Sequence, residues 1–190
     1  MKKIIIFASG SGTNAENIVR FFNLSKNATV SFIVTNKKEA YVLKRAEMLK
    51  IKSLVFNKED FNENDSVLQF LLTEKPDLIV LSGFLLLMPQ NIIQAFPKRI
   101  INIHPALLPK YGGKGMYGDK VHQAVICNKD KETGITIHYV NEKYDEGEII
   151  FQKSCLVEAD ETVSSLSKKI HALEYEYFPK VINDLIMVLP

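Results

Sequence analysis

From Lys3 to Ile103 the chain alternates short unbroken apolar runs with longer segments whose apolar residues recur at helical spacing. Lys3–Ala8, Thr29–Thr35, Ser53–Phe56, Leu78–Ser82 and Ile100–Ile103 read as strands. Lys3–Ala8 is β-branched and continuous, as a strand buried on both faces should be. Asn14–Phe22, Ala40–Lys50, Asn64–Glu74 and Pro89–Ala95 read as the helices between them. Lys75-Pro76 stops the third of these, and Pro89 sits in the first turn of the fourth. A strand–helix rhythm of this kind predicts a parallel sheet with helices on both faces.

The pattern changes after His104. Pro105–Lys120 holds two prolines and four glycines and reads as a structured loop. Val121–Asn128 is a short helix. Gly134–Val140 and Glu148–Val157 alternate polar with apolar residues around Asn141–Gly147, as antiparallel partners do. Thr162–Met187 is a long amphipathic helix, capped by Asp160 or Thr162, that Pro179 should bend or interrupt. The fold class expected is α/β: a Rossmann-like, mostly parallel sheet with helices on both faces and an antiparallel C-terminal strand pair. With no repeat, low-complexity tract or linker, residues 1–190 read as one domain.

Composition narrows the function. With 24 basic against 22 acidic residues, the net charge of +2 advertises neither a nucleic-acid nor a membrane surface. The longest apolar run, Leu78–Met88, has eleven residues, against the ~20 a membrane-spanning helix needs. The apolar stretch after Lys3 is too short for a signal peptide. Cys127 and Cys155 form no short-spaced pair and read as reduced thiols, which points to the cytoplasm. The four histidines, 104, 122, 138 and 171, are too widely spaced for a zinc motif, so no metal is expected.

Two motifs carry chemistry. Gly10-Ser11-Gly12-Thr13-Asn14 follows the first strand and opens the first helix, where backbone N–H groups bind phosphate. With Ala15 it also fits the permissive dinucleotide fingerprint. A nicotinamide cofactor would want an acid at the end of the second strand, where Thr35-Asn36-Lys37-Lys38 stands instead. A monophosphate site, a nicotinamide site and a merely tight turn all remain open on this loop alone. The second motif is Asn102-Ile103-His104-Pro105. Asn102 and His104 share one face of a strand at its carboxyl end, where open α/β sheets place ligands. An amide and an imidazole there suit a developing oxyanion, or else simply cap the strand. Asp145 lies in an acidic loop; if it meets His104 it should favour the imidazolium and raise the histidine pKa. His138 reads as a structural histidine.

Taken together, Asn102-Ile103-His104-Pro105-Ala106-Leu107-Leu108-Pro109 and the later Asp145-Glu146-Gly147 resemble the signature of the folate-dependent formyltransferases, over essentially the whole chain. The resemblance, with the Gly10–Asn14 loop, implies transfer of the formyl group of 10-formyltetrahydrofolate to the amine of glycinamide ribonucleotide through a tetrahedral intermediate. It implies catalytic roles for Asn102, which holds the formyl oxygen, for His104, which donates to the oxyanion, and for Asp145, which keeps that histidine charged. Gly12, Thr13, Asn14 and Glu174 would bind the ribonucleotide. Leu85, Leu86, Leu87 and Met88, with Asn102, Asn141 and Tyr144, would line the folate pocket. The N-terminal half would thus be phosphate-binding and the C-terminal half folate-binding. Leu86 and Asn64 stand where many relatives carry basic residues, so Lys58 or Lys110 is expected to meet the folate tail, and Lys114 to add a contact. The Leu108–Pro109 bond is expected to be cis. A monomer or weak homodimer, with no nucleic acid or membrane partner, is expected. The rival readings are a methionyl-tRNA or amino-sugar formyltransferase domain and, in a different class, a nicotinamide-dependent oxidoreductase.

Overall fold

The computed structural model describes residues 1–189. In chain order its elements are β1 (Lys2–Phe7), α1 (Thr13–Ser25), β2 (Ala28–Thr35), α2 (Val42–Met48), β3 (Lys52–Val55), α3 (Lys58–Asn62) and α4 (Ser66–Glu74). They continue with β4 (Leu78–Leu81), α5 (Gln90–Ala95), β5 (Ile100–His104), α6 (Asp119–Cys127), β6 (Glu132–Tyr139), β7 (Ile149–Leu156) and α7 (Val163–Val188). The seven strands form one sheet in the order β3-β2-β1-β4-β5-β6-β7. β3 through β5 are parallel, and β6 and β7 add as antiparallel partners, as expected from the alternation of their residues.

The continuous apolar strands are buried because both sheet faces are covered. Ile4, Ile6, Val80 and Ile101 pack under α1 and α7, with Ile18, Phe22, Phe178 and Ile182. Ile5, Phe7, Ile79 and Leu81 face the opposite way, onto Phe61, Leu71 and Ile92 of α3, α4 and α5. The period-2 direction of strand side chains therefore divides a single apolar run between two cores. On the second face Phe7, Phe56, Phe61 and Phe84 form a cluster, with Phe7 and Phe84 edge to face at 5.3 Å and Phe56 and Phe61 stacked at 4.9 Å.

The observed boundaries differ from expectation in three places. α3 is a helix where none was expected. Its five residues are too few for a helical period, and its signal is the capping box that Asn57 and Asp60 make at 2.9 and 3.0 Å, with Phe61 buried behind. Pro89 caps α5 rather than lying within it. Pro179 does not interrupt α7. A proline at this position leaves the carbonyl of Tyr175, four residues earlier, without its helical donor. Asn17 of α1 supplies one, its Nδ2 lying 2.9 Å from that oxygen, while Pro179 itself is buried. Thr162, not Asp160, caps α7, in a box with Ser165. Leu108–Pro109 is cis.

Candidate active site

In this strand order the chain builds leftward from β1 and then rightward from β4, so the sheet reverses direction between those two strands. The loops leaving β1 and β4 part there, the crevice in which doubly wound sheets bind ligands. Ser9 ties the two loops together: its N–H donates to the Gly83 carbonyl at 3.0 Å, and its Oγ accepts from the Leu85 amide at 3.2 Å. A cavity of about 520 Å³ opens above this point. Its walls are the loops after β1, β4 and β5, the segment 113–119, His122, Tyr144-Asp145 and one face of α7. That volume suits a ligand of drug-like size.

At one end lies the glycine loop. Gly12 is the N-cap of α1, in the left-handed region at φ 76°, and it has no side chain to satisfy the first-turn N–H groups. Those amides are left for an anion, and Glu16 in the same turn would oppose one. Arg20 and Arg45 both pair with Glu16, and its carboxyl is held below the usual range by the Arg20 hydrogen bond and then Arg45, against the effect of burial. Arg45 Nε also donates to the Ser11 carbonyl at 2.9 Å, and the Val42 N–H to the Gly10 carbonyl at 3.1 Å, so α2 fixes the loop.

Glu174 of α7 faces the loop, almost fully buried. Its Oε2 accepts from Asn14 Nδ2 at 2.8 Å and lies 2.9 Å from His171 Nδ1. That hydrogen bond raises the His171 pKa above its ordinary value in spite of burial. Asn14 Oδ1 is buried without a partner, and so is Nδ1 of His122. His122 lines the cavity, and burial pushes its pKa down.

A second polar cluster lies where β5 meets the antiparallel strand. Asn102 pairs across the ladder with His138, and Asn102 Nδ2 lies 3.1 Å from His138 Nε2 and 3.3 Å from Asp145 Oδ1. His104 Nδ1 lies 3.5 Å from Asp145 Oδ2, and its Nε2 is 2.8 Å from the Tyr111 carbonyl. The Gly113 N–H donates to Asp145 Oδ2 at 3.0 Å. Gly112 permits the approach, since a Cβ there would come within 2.7 Å of Leu108 and 3.3 Å of the Asp145 side chain. Burial alone would raise the Asp145 pKa, but His138, His104 and the Gly113 amide together hold it below the usual carboxylate value.

His104 corrects one expectation. Asp145 and the Tyr111 carbonyl do favour its charged form, but the residue is only 3% exposed, and desolvation outweighs both. Its pKa lies below, not above, the ordinary histidine value.

Most of the expected site residues converge. Gly12, Thr13, Asn14, Leu85, Asn102, His104, Tyr144, Asp145 and Glu174 all line the main cavity, as does Lys114. Leu86, Leu87 and Met88 line a smaller adjoining hollow of about 50 Å³, shared with Phe84, Asn102, Tyr144 and Asp145. Asn141 lines neither; its Oδ1 accepts from the Lys143 amide at 3.0 Å and shapes the turn. Lys110 is tied to Asp130, both carboxylate oxygens at 2.7 Å, and Lys58 opens α3 away from both hollows. His138, read from the sequence as structural, belongs to the cluster. Its signal was the β5–β6 register, which the turn-rich segment between the strands conceals. Among the described residues no three His, Cys, Asp or Glu side chains are grouped to hold a metal ion, and no helix is long and apolar enough to cross a membrane.

Comparison with known proteins gives the same direction. Residues 2–182 match the family described as Formyl transferase. A chloroplastic phosphoribosylglycinamide formyltransferase of Arabidopsis thaliana is 40% identical over 96% of this chain, which spans 64% of that relative. The phosphoribosylglycinamide formyltransferase of Bacillus subtilis is 35% identical over 98% of this chain and 95% of its own. Among solved structures, glycinamide ribonucleotide transformylase 1 of Symbiobacterium toebii superposes with TM-score 0.89 at 29% identity, covering 98% of this chain and 88% of that one. Phosphoribosylglycinamide formyltransferase of Bacillus halodurans does so with TM-score 0.88 at 32% identity, covering 100% and 97%.

Proposed function

The chain belongs to the formyl transferase family, and from that membership we propose that it transfers the formyl group of 10-formyltetrahydrofolate to the amine of glycinamide ribonucleotide, a step of de novo purine biosynthesis. The observation that carries the proposal is the meeting of Asn102 and His104 on Asp145, at 3.3 and 3.5 Å, in the same cavity as an open helix N-terminus. On this proposal, one end of the cavity receives the electrophilic formyl carbon and the other the phosphate.

On this reading the amides of Gly12, Thr13 and Asn14 hold the ribonucleotide phosphate, and Glu174 accepts from the ribose hydroxyls. Leu85 to Met88 and Tyr144 enclose the pterin, with Leu86, Leu87 and Met88 forming the apolar hollow behind Asn102. Asn102 exchanges the longer of its two contacts, 3.3 Å to Asp145, for the formyl oxygen. His104 carries the proton between the attacking amine and the leaving nitrogen. Asp145, anionic and anchored by Gly113, stabilises the imidazolium while it exists. The formyl donor is a co-substrate, no metal takes part, and the reaction takes place in the cytoplasm with a monomer or weak homodimer.

The experiment is a formyl-transfer assay from 10-formyltetrahydrofolate with glycinamide ribonucleotide and initiator methionyl-tRNA as parallel acceptors. Transfer to the ribonucleotide alone is expected. Transfer to tRNA alone, or hydride exchange with NADPH in place of formyl transfer, would overturn the reading. His104→Ala and Asp145→Asn should lose at least ~10²-fold in kcat while still binding the ribonucleotide.

A further inference from the structure

The fold makes no use of the polarity of His122. The residue is 2% exposed, its Nδ1 is enclosed without a partner, and its ring makes no hydrogen bond to any described residue. A structural histidine is held by at least one such bond, because a buried polar group left unpaired costs stability. For packing alone, an apolar side chain of similar volume would serve better. Nε2 is the nitrogen that is not enclosed, and the residue lines the main cavity, so that atom opens toward the ligand.

Two helices fix where the ring stands. Gly118, Asp119 and His122, at the N-cap and in the first turn of α6, all face the cavity, and that helix packs on α7. From α7, Ser167, His171 and Glu174 line the same cavity, and their spacing of four and then three residues puts them on one face. Both Glu174 and His104 act on His122 electrostatically. His122 therefore stands between the carboxylate assigned to the ribose hydroxyls and the centre assigned to the reacting amine. In glycinamide ribonucleotide the group between ribose and aminomethyl carbon is a carboxamide, with one N–H donor and one carbonyl acceptor. Burial disfavours the charged form of the ring, and an uncharged imidazole likewise offers one donor and one acceptor.

We propose that His122, through Nε2, binds the carboxamide that links the ribose to the reacting amine, and so selects acceptors that carry this arm. The inference rests on the proposed function. The ring donates to the carbonyl when Nε2 carries its hydrogen and accepts from the N–H when it does not, so the carboxamide satisfies either tautomer. The contact is made in the ground state and kept in the transition state, so its loss should appear in binding and in KM.

The test is isothermal titration of the full chain with two ligands. One is the ribonucleotide; the other is ribose 5-phosphate, which keeps the sugar and phosphate but lacks the carboxamide arm. His122→Leu should weaken the ribonucleotide about five- to tenfold, the effect of one lost hydrogen bond, and leave ribose 5-phosphate within about twofold. Its Tm should not fall, since no bond within the protein is lost. His122→Gln, whose terminal amide reaches the place of Nε2, should keep the ribonucleotide within about threefold, whereas His122→Asn falls short of that place and should weaken it as the leucine does. KM for 10-formyltetrahydrofolate should be unchanged in all three. Equal weakening of both ligands would put His122 on the sugar or phosphate and overturn the proposal. So would a lowered Tm at unchanged ribonucleotide affinity, the result for a structural histidine, or a rise confined to the KM of the formyl donor. If His122→Leu does not fold, the contrast between His122→Gln and His122→Asn decides. An unmodified protein that neither binds nor formylates the ribonucleotide would instead overturn the underlying assignment.

Discussion

Two glycines in one loop should respond oppositely to the same methyl group. At Gly12, φ is 76° and an added Cβ would overlap the side chain and Cα of Val42. At Gly10 there is nothing within 4 Å and no left-handed backbone. For Gly12→Ala the left-handed conformation costs about 1–2 kcal/mol. Crowding against a close-packed neighbour adds about 1–3 kcal/mol. Val42 yields little, because it is fully buried and its own amide holds the Gly10 carbonyl. The expected loss is therefore about 2–5 kcal/mol, or roughly 5–15 °C in Tm for a chain of this size. Gly10→Ala should stay within about 0.5 kcal/mol. Calorimetry on both variants separates stability from binding: Gly10→Ala projects a methyl into the cavity and should raise KM for the ribonucleotide at nearly unchanged Tm, whereas Gly12→Ala should change both. A Gly12→Ala protein as stable as Gly10→Ala would refute the argument that α2 is packed against the glycine itself.

Acid should destabilise the protein below about pH 6.5. Burial depresses the pKa of both His104 and His122, so their contribution is complete above the unfolded-state value and is lost as pH falls through it. His171, raised by Glu174, works in the opposite sense but is about half exposed, so its effect is screened. Urea unfolding between pH 8 and 5 measures the slope, and His122→Gln should flatten it; an unchanged slope would remove His122 from the account. Glu174→Gln should raise KM for the ribonucleotide with little change in kcat, and a fall in kcat alone would place that carboxylate at the reacting centre. Asn17→Ala should cost about 1 kcal/mol by leaving the Tyr175 carbonyl unpaired. In a Pro179→Ala background that cost should vanish, because the substituted residue restores the helical N–H, and thermal unfolding of the four-protein cycle reads the coupling.

The parallel half of the fold was legible because burial on both faces leaves short, β-branched apolar runs such as Ile4–Ala8 and Leu78–Leu81, and their alternation with longer helical segments marks them as strands. α3 was not legible, since five residues carry no period and the stabilising features are a cap and one phenylalanine. Continuity of α7 through Pro179 was not legible either. It depends on a donor from α1, some 160 residues away in sequence, and local rules correctly anticipate a break when no such donor exists. In the site, Asn102 and His104 could be paired from alternation along one strand, but their relation to Asp145 came only through the family resemblance. The direction of the His104 pKa shift escapes the sequence for a related reason. Sequence shows the neighbouring carboxylate but not the depth of the ring, and at 3% exposure depth is the larger effect.

On the proposed function, the antiparallel addition of β6 is what joins a reacting centre to a phosphate-binding crevice. A parallel sheet delivers its strand ends and loops to one edge, enough for the glycine loop and for Asn102 and His104. A further parallel strand beside β5 would also bring its amino-terminal end to the opposite edge and its carboxyl end to the cavity only after a crossover. β6 instead runs away from Thr133 and back along β5 in register, setting His138 opposite Asn102 and Thr136 opposite His104. The turn from β6 to β7 then brings Asp145, itself left-handed at φ 57°, back against both histidines at 3.5 and 3.6 Å. Shortening that turn by one residue between Asn141 and Asp145 should therefore abolish turnover while leaving ribonucleotide binding intact, since the phosphate loop is built wholly by β1, α1 and α2. Isothermal titration with the ribonucleotide, alongside the formyl-transfer assay, separates the two. Loss of binding together with turnover would mean the two ends of the cavity are not built independently.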